Sequence, residues 1–590
     1  MDYTWDLTVL YQDFSDPKIE SDFDRLKALC QEARAALDRK ELDHRAMLEK
    51  SMDYLEEIES LISSLASFAN LSLATDAENE PAQQLMDRLE MFFVQVSLLS
   101  SALTRYIGGV DELEDLIAQS EKLKRVDFFL RKAKLEAAHL MDPAIEEWML
   151  KMSLTGGNAF SNLRDKLDAT LTVDYKGEKL PLSAVRNMAY DPDPAVRKEA
   201  YEAEIASYAK IEIPMAACLN GIKGEALTMI EATHYDSVLD QTLDSSNMDR
   251  ATLDAMLTAI REALPAFRRY LRKKGEILGH KNGLPFYDLF APIAPAGYVP
   301  KTYTIEEARE KLLAEMGKFT PKMAEFIDQA FQNRWIDVFP RNGKGGGAFC
   351  ASLHHLDQSR VLTNFAGSFS DVSTLAHELG HAWHNRCMAG LPFCMTDAPM
   401  PLAETASIFN ETLLANAAMS QAGKQERFSL LESNLMETTQ VVVDIYSRYL
   451  FETAVIEKRK ERTLSVAELK ALMLDAQEKS YGDGLDPEIR HPYMWACKSH
   501  YYISGLAFYN FPYAFGQLFG TGVYSQYRQE GPAFVDKYCA LLRSCGSGMV
   551  ADVAGSVGID VRSVDFWRES LNVYVKEIDE FISLADELMK

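Results

Sequence analysis

The chain has 590 residues, 47% hydrophobic and 25% charged, which are values of a folded protein with a sizeable core and not of a disordered one. Its 62 Lys+Arg against 88 Asp+Glu leave a net charge of −26, which repels phosphate backbones and anionic lipid and argues against nucleic acid or a membrane surface as partner. No apolar run is long enough to cross a bilayer, the opening MDYTWDLTVLYQDF lacks the basic and apolar regions of a signal peptide, and the eight dispersed cysteines contain no CxxC pair. A cytoplasmic protein is expected, with neither a disulfide framework nor a cysteine zinc knuckle.

From about Asp16 to Gly108 the sequence reads as long amphipathic helices, with apolar residues three and four apart in stretches such as FDRLKALCQEARAAL. LTVDYKGEKLPLS, residues 171 to 183, alternates and turns at Lys176-Gly177, as a short hairpin does. Helical periodicity returns at DPAVRKEAYEAEIASYAK, which suggests a boundary near residue 190. Residues 1–190 are then an N-terminal helical subdomain carrying the hairpin, and 191–590 a second, larger domain. Between 339 and 371 a glycine cluster precedes two β-like runs, GAFCASL and RVLTNF, so a small sheet is expected there. From Ser429 to Lys590 helices resume, interrupted by the aromatic stretch HPYMWACKSHYYISGLAFYNFPYAFGQLFG. The composition is even, no linker or fixed repeat divides the chain, and the fold class is mainly α.

TLAHELGHAWH, residues 374 to 384, gathers three histidines and a glutamate in a chain with 11 histidines in all. Ser370, Asp371 and Ser373 are candidate N-caps, and Gly390 followed by Pro392 is a stop, which predicts one helix over 374–389. At four-residue spacing His377 and His381 project from one face and can hold one metal ion, with Glu378 beside them as general base toward an attacking water. Leu375, Leu379 and Ala382 share another face and anchor the helix, while Gly380 leaves space beside the metal face. HExxH also occurs by chance in helical chains, so the reading needs a third ligand.

The pattern HExxHxxGxxH cannot supply it, because His384 and Cys387 stand where glycine and histidine would be. A following helix, PLAETASIFNETLL (401 to 414), places Glu404, Ser407, Ile408 and Glu411 on one face. Glu404 is the expected third ligand, with Ser407 and Glu411 orienting the ligands from behind. A solvated carboxylate is the ordinary alternative for Glu411. His384 also faces the site and is read as a supporting or packing residue. Two histidines and one glutamate leave a coordination position open, which marks a hydrolytic zinc and not a structural one.

At these residues the chain resembles the zinc oligopeptidase family that contains thimet oligopeptidase, most closely its bacterial branch, the oligoendopeptidases F. TWDLTVLY, MAYDPDPAVRKEAYEA, CLNGIKGEALT, GKGGGAFC, HELGHAWH, LAETASIFNETLL and SHYYISGLAFYNFPYAFG follow the branch's order over nearly the whole chain. The resemblance implies a mostly helical bowl- or clam-like peptidase that holds one zinc ion on His377, His381 and Glu404, uses Glu378 as base, and cleaves internal bonds of short unstructured peptides. It also implies that His500, Tyr509 and Tyr513 stabilise the transition state, as donors in a dry site can. Core packing is the competing reading of that aromatic run, and Tyr501, Tyr502, Phe508 and Phe511 are assigned to it. Gly346, Gly347, Ala348 and Phe349 become an edge strand that pairs with substrate backbone, with Gly345 to Gly347 permitting close approach; a simple loop is the alternative.

Two rivals remain. An exopeptidase of the same architecture would need a cation that reads the substrate's free carboxylate, and a peptide-binding protein keeping zinc for stability would need a lost base or a fourth protein ligand. Glu378 is present, which disfavours the second. Ligand type favours zinc over manganese or cobalt without excluding them, and the oligomeric state is open.

Overall fold

A computed structural model of the chain describes residues 3–38 and 43–589. It is 72% helical with only small sheets, the mainly α class that periodicity indicates. No helix among the described residues is long and apolar enough to cross a membrane.

The chain forms two compact units. One comprises the chain up to Leu140, Pro300–Ala417 and Val523–Gly558, and the other Met141–Val299, Ala418–Gly522 and Ile559–Lys590. Residue 190, the expected boundary, lies inside a continuous segment of the second unit.

In the first unit the N-terminal region folds into helices Pro17–Asp38, His44–Thr75 and Glu80–Gly108. Asp43 and Asn79 cap the second and third by accepting from the amides of Ala46 and Ala82, satisfying donors the first turn leaves unpaired. The inward stripe of the second helix, including Leu48, Met52, Ile58, Ile62 and Leu65, is buried at helical spacing. This is the amphipathic pattern turned into a core.

The unit's sheet has three strands, ordered Ile336–Asp337, Gln358–Leu362, Phe349–Leu353. The central strand runs parallel to the first and antiparallel to the third, pairing Val361 with both Ile336 and Cys350. Both expected β runs contribute a strand, although Thr363, Asn364 and Phe365 of the second run lie beyond it, and Phe349–Leu353 lies on an edge of the sheet. Ile336–Asp337 is too short to show a period in sequence; it is fixed by the buried Asp337 carboxylate, which accepts from Arg341 at 2.6 and 2.8 Å and pairs with Lys344 at 2.8 Å.

Gly346, Gly347 and Ala348 fall outside the strand that was expected to include them. Gly347 has a φ of +78°, which a ladder does not accommodate, and Asn364 Nδ2 donates to the carbonyls of Gly345 and Gly347 at 2.9 Å, holding the glycines as a loop. Of the four residues only Phe349, the strand's first residue, is in the sheet.

The second unit is helical apart from the hairpin Thr172–Tyr175 with Glu178–Pro181, whose turn residues Lys176 and Gly177 both have positive φ, 52° and 86°. A two-residue turn with that geometry follows the twist of the strands it joins. Helix Arg250–Ile277 packs along Val564–Leu588, with Tyr270 against Phe581 in the interior and Arg269 and Lys273 bonded to Asp579 and Asp586 at the rim. A separate cluster gathers Tyr208, Trp495, Tyr501 and Tyr502 around Leu219 and Val455.

Candidate active site

The HExxH helix runs Phe369–Cys387 and begins five residues before the expected start. Its N-cap is Ser368, whose hydroxyl accepts from the Asp371 amide while the Asp371 carboxylate accepts from Ser368 N–H at 2.9 Å. Asp371 is thus the third residue of a capping box, and Ser370 and Ser373 sit within the helix. Gly367, at φ +105°, reverses the chain just before the cap, so the box and not the later polar residues sets the start. The helix stops at Cys387, two residues before the expected 389, and Gly390 follows at φ +73°. Leu375, Leu379 and Ala382 are buried, the anchoring face the pattern indicated.

The segment expected as one helix is two. Met400–Ala403 ends at Glu404, whose φ of −86° and ψ of 2° leave the helical region, and Thr405–Gln421 follows. Gly380 lets the HExxH helix meet this break closely: a Cβ there would stand 2.6 Å from Ala406 O and 2.7 Å from Ser407 Cα. Asn410, fully buried, donates to Ala376 O at 3.2 Å and ties the same two helices. The reading of Gly380 as spacer acquires its physical object here, the backbone of the helix that follows Glu404.

One nitrogen each of His377 and His381 and one oxygen of Glu404 lie within 4.8 Å of one another. The two Nε2 atoms are 3.1 Å apart, and Glu404 Oε2 is 3.3 Å from the first and 3.4 Å from the second. Behind them, Glu411 Oε1 lies 2.9 Å from His377 Nδ1 and Ser407 Oγ donates to Glu404 Oε2 at 2.7 Å. Glu411 therefore fixes the His377 tautomer that turns Nε2 toward the cluster. Burial opposes charge on His377, but the Glu404 and Glu411 carboxylates outweigh it and raise its pKa to about 10. Glu404 is held far below the ordinary carboxylate range: burial works against this, and the two imidazoles prevail. Such a group calls for a positive charge at its centre, and its donor set suits a borderline metal.

Glu378, next to His377, is only 6% exposed. Burial raises its pKa, as do Glu404 and Glu411, while the two histidines oppose the rise. An upward shift is the direction that favours a carboxylate as proton acceptor near neutrality. His384 does not join the converging donors. Its Nε2 bonds Leu542 O at 3.1 Å, and burial, with the charge of His381, lowers its pKa to about 4, so it is a neutral packing residue one turn beyond His381.

His500, Tyr509 and Tyr513 lie in the second unit and form a cluster of their own, with ring centroids 5.1, 5.7 and 5.2 Å apart. His500 sits on the short turn Ser499–Tyr502, and Tyr513 on the helix Phe511–Glu530. Tyr501, Tyr502, Phe508 and Phe511 are buried, the packing assignment made for them. Burial, reinforced by Arg448, lowers the His500 pKa to about 4. Arg448 Nη1 stands 3.3 Å from His500 Nδ1; a guanidinium can only donate, so Nδ1 accepts and the neutral ring keeps its proton on Nε2. Arg448 escaped the sequence reading. Its signal is an arginine in the mostly apolar first turns of a helix, IYSRYLF, with Asp444 four residues earlier as partner at 2.7 Å. Asn410 was likewise legible as a polar residue between Phe409 and the apolar Leu413–Leu414 pair.

A fold of packed helices with a small sheet, carrying HExxH beside a glutamate helix, defines a metallopeptidase class. A profile of peptidase family M3 matches residues 187–573 and one described as Oligopeptidase F matches 109–172. The chain belongs to peptidase family M3, a family of metallopeptidases. It is 22% identical over 548 residues to oligopeptidase PepF of Bacillus subtilis, covering 91% of this chain and 81% of that protein. To an oligoendopeptidase F homologue of Lactococcus lactis it is 23% identical, covering 99% and 97%. The crystal structure of oligoendopeptidase F from Enterococcus faecium superimposes with a TM-score of 0.71 at 18% identity, covering 96% of this chain and 100% of that one, a likeness of fold.

Proposed function

We propose that this peptidase is a zinc-dependent endopeptidase of short, unstructured oligopeptides. The observation that carries the reading is the convergence of His377, His381 and Glu404, with the buried Glu378 next in sequence to a ligand. Zinc bound to those three residues would supply Lewis acidity, polarising the scissile carbonyl and acidifying a water. Glu378 takes the proton of the attacking water and delivers it to the leaving amine, and its raised pKa supports both halves of that task. Glu411 and Ser407 hold His377 and Glu404 in orientation.

For the oxyanion we propose His500, Tyr509 and Tyr513 as donors. Support comes from the neutral His500, whose Nδ1 is occupied by Arg448 and whose Nε2 carries the proton to donate. The edge strand Phe349–Leu353 is proposed as the line along which substrate backbone adds, with the preceding glycine loop leaving that end open. All eight cysteines are free, which supports a reducing, cytoplasmic setting.

Hydrolysis of an internally quenched peptide with blocked ends, with products identified by mass, tests the reading. Internal cleavage should vanish on chelation and return with zinc. Glu378→Gln should lower kcat by about 10²–10⁴ while zinc remains bound at one ion per chain. Trimming of free-ended peptides alone would replace the endopeptidase by an exopeptidase, and binding without cleavage would overturn the mechanism.

A further inference from the structure

In the second unit, a cavity of about 400 Å³ opens between the helices at 183–204, the segment at 286–290 and the residues leading to Lys498. Three cations line it, and their partners differ. Arg197 gives Nε to Asp288 at 2.6 Å and Nη1 to the carbonyls of Asp191 and Pro192, so it is committed to structure. Arg186 pairs with Glu204 at 3.3 Å. Lys498 has neither a hydrogen bond nor an ion pair from its ammonium among the described residues, although it is largely enclosed by the protein. Burial pushes its pKa down, partly countered by Asp444, whose own carboxylate is engaged by Arg448 at 2.7 Å and by the Tyr481 hydroxyl at 3.2 Å. An enclosed ammonium without a counterion is costly unless something negative comes to it.

The rest of the wall is aromatic. Tyr190 and Phe290 lie 5.1 Å apart, Tyr201 and Tyr287 5.8 Å apart, and Phe286 continues the surface. Tyr190 is 55% exposed, an unusual position for a large ring that has no core to fill. A cavity of this size, apolar on one side with a few polar groups on the other, has the ordinary make-up of a small-molecule site.

We propose that this cavity binds a singly charged carboxylate attached to an aromatic ring, the carboxylate on Lys498 and the ring against the aromatic wall that the Tyr190–Phe290 pair forms. One cation without an ion-pair partner among the described residues matches one negative charge, which favours a carboxylate over a doubly charged phosphate. Every peptide bond that a peptidase hydrolyses leaves a new terminal carboxylate, so a peptide product ending in an aromatic residue has both required parts. The inference rests on the cavity and on peptidase membership, and not on the zinc chemistry proposed above.

Isothermal titration of the full chain with N-acetylphenylalanine tests it, with the corresponding amide, acetate and adenosine monophosphate as comparison probes. N-acetylphenylalanine should bind once per chain and bind equally after chelation, which separates this cavity from any metal-held carboxylate. The amide and acetate should each bind at least tenfold more weakly, and Lys498→Met should lose at least tenfold for the acid with an unchanged far-ultraviolet spectrum. Tyr190→Ala, a change at an exposed ring, should weaken the acid several-fold and serves if the lysine variant fails to fold. Equal binding of acid and amide, binding lost on chelation, or unaltered affinity in both variants would overturn the proposal, and tighter binding of the nucleotide would overturn the assignment to a carboxylate.

Discussion

Two side chains orient the residues proposed to hold the metal. Glu411 accepts at His377 Nδ1, which orients the ring and its Nε2, and Ser407 donates to Glu404 Oε2, an oxygen that would hold the metal. Glu411→Gln and Ser407→Ala are each expected to weaken zinc binding by about 10- to 100-fold, measured by competition with a fluorescent chelator, with the fold retained. His500 offers a second measurement. Its pKa in the folded chain, about 4, lies below the ordinary 6.5, so folding favours the neutral ring. Its contribution to stability is complete above about 6.5, declines as pH falls, and is lost as pH drops through about 4. Replacing Arg448 by Gln removes the neighbouring positive charge but leaves the burial, so the His500 titration followed by NMR should move upward, toward 6.5 without reaching it.

At the scale of elements, the site depends on how closely two helices meet. The HExxH helix lies against the start of Thr405–Gln421 at Gly380, with Asn410 bonded to Ala376 O beside it. Gly380→Ala would drive a Cβ into Ala406 O and Ser407 Cα, both backbone atoms that cannot swing aside. The helices must then part, and Glu404 moves with them. The variant is expected to lose about 1–3 kcal/mol of stability in denaturant unfolding and to bind zinc more weakly. Loss of stability with unchanged zinc affinity would mean that the contact matters for packing alone. Periodicity marked the HExxH helix as a helix, but the cap candidates it offered, Ser370, Asp371 and Ser373, all lie after the true cap, Ser368. Gly367 and the reciprocal Ser368–Asp371 bonds decided it.

For the whole molecule the dominant physical fact is charge. A net −26 creates a negative potential that concentrates cationic peptides and repels acidic ones. Matched quenched peptides, one with flanking lysines and one with flanking glutamates, should differ several-fold in kcat/KM at low ionic strength in favour of the basic peptide. The ratio should approach one at about 1 M salt, where the Debye length is about 3 Å. A ratio independent of salt would assign the preference to local contacts. The division into units belongs to this scale too. Each unit is assembled from three separated stretches of chain, and a linear reading that looks for linkers sees none, because even composition carries no sign of which distant segments pack together.

The sequence by itself determined what depends on local spacing and on residue chemistry. Helical periodicity marks the N-terminal helices, Lys176-Gly177 marks the hairpin turn, the four-residue spacing puts His377 and His381 on one face, and the same spacing puts Ser407 and Glu411 on one face of the next helix. These features arise from fixed rises and turns per residue and need no distant partner. Tertiary structure alone decided which of those faces meet: that Glu404 ends one helix and closes on two histidines of another, that Gly380 is needed against backbone that begins 26 residues later in the chain, and that Gly346, Gly347 and Ala348 stay out of the strand because Asn364 holds their loop. It also enclosed Lys498 with no hydrogen bond or ion pair from its ammonium among the described residues, since burial and pairing are properties of packed neighbours and leave no mark on a lysine in a string of letters.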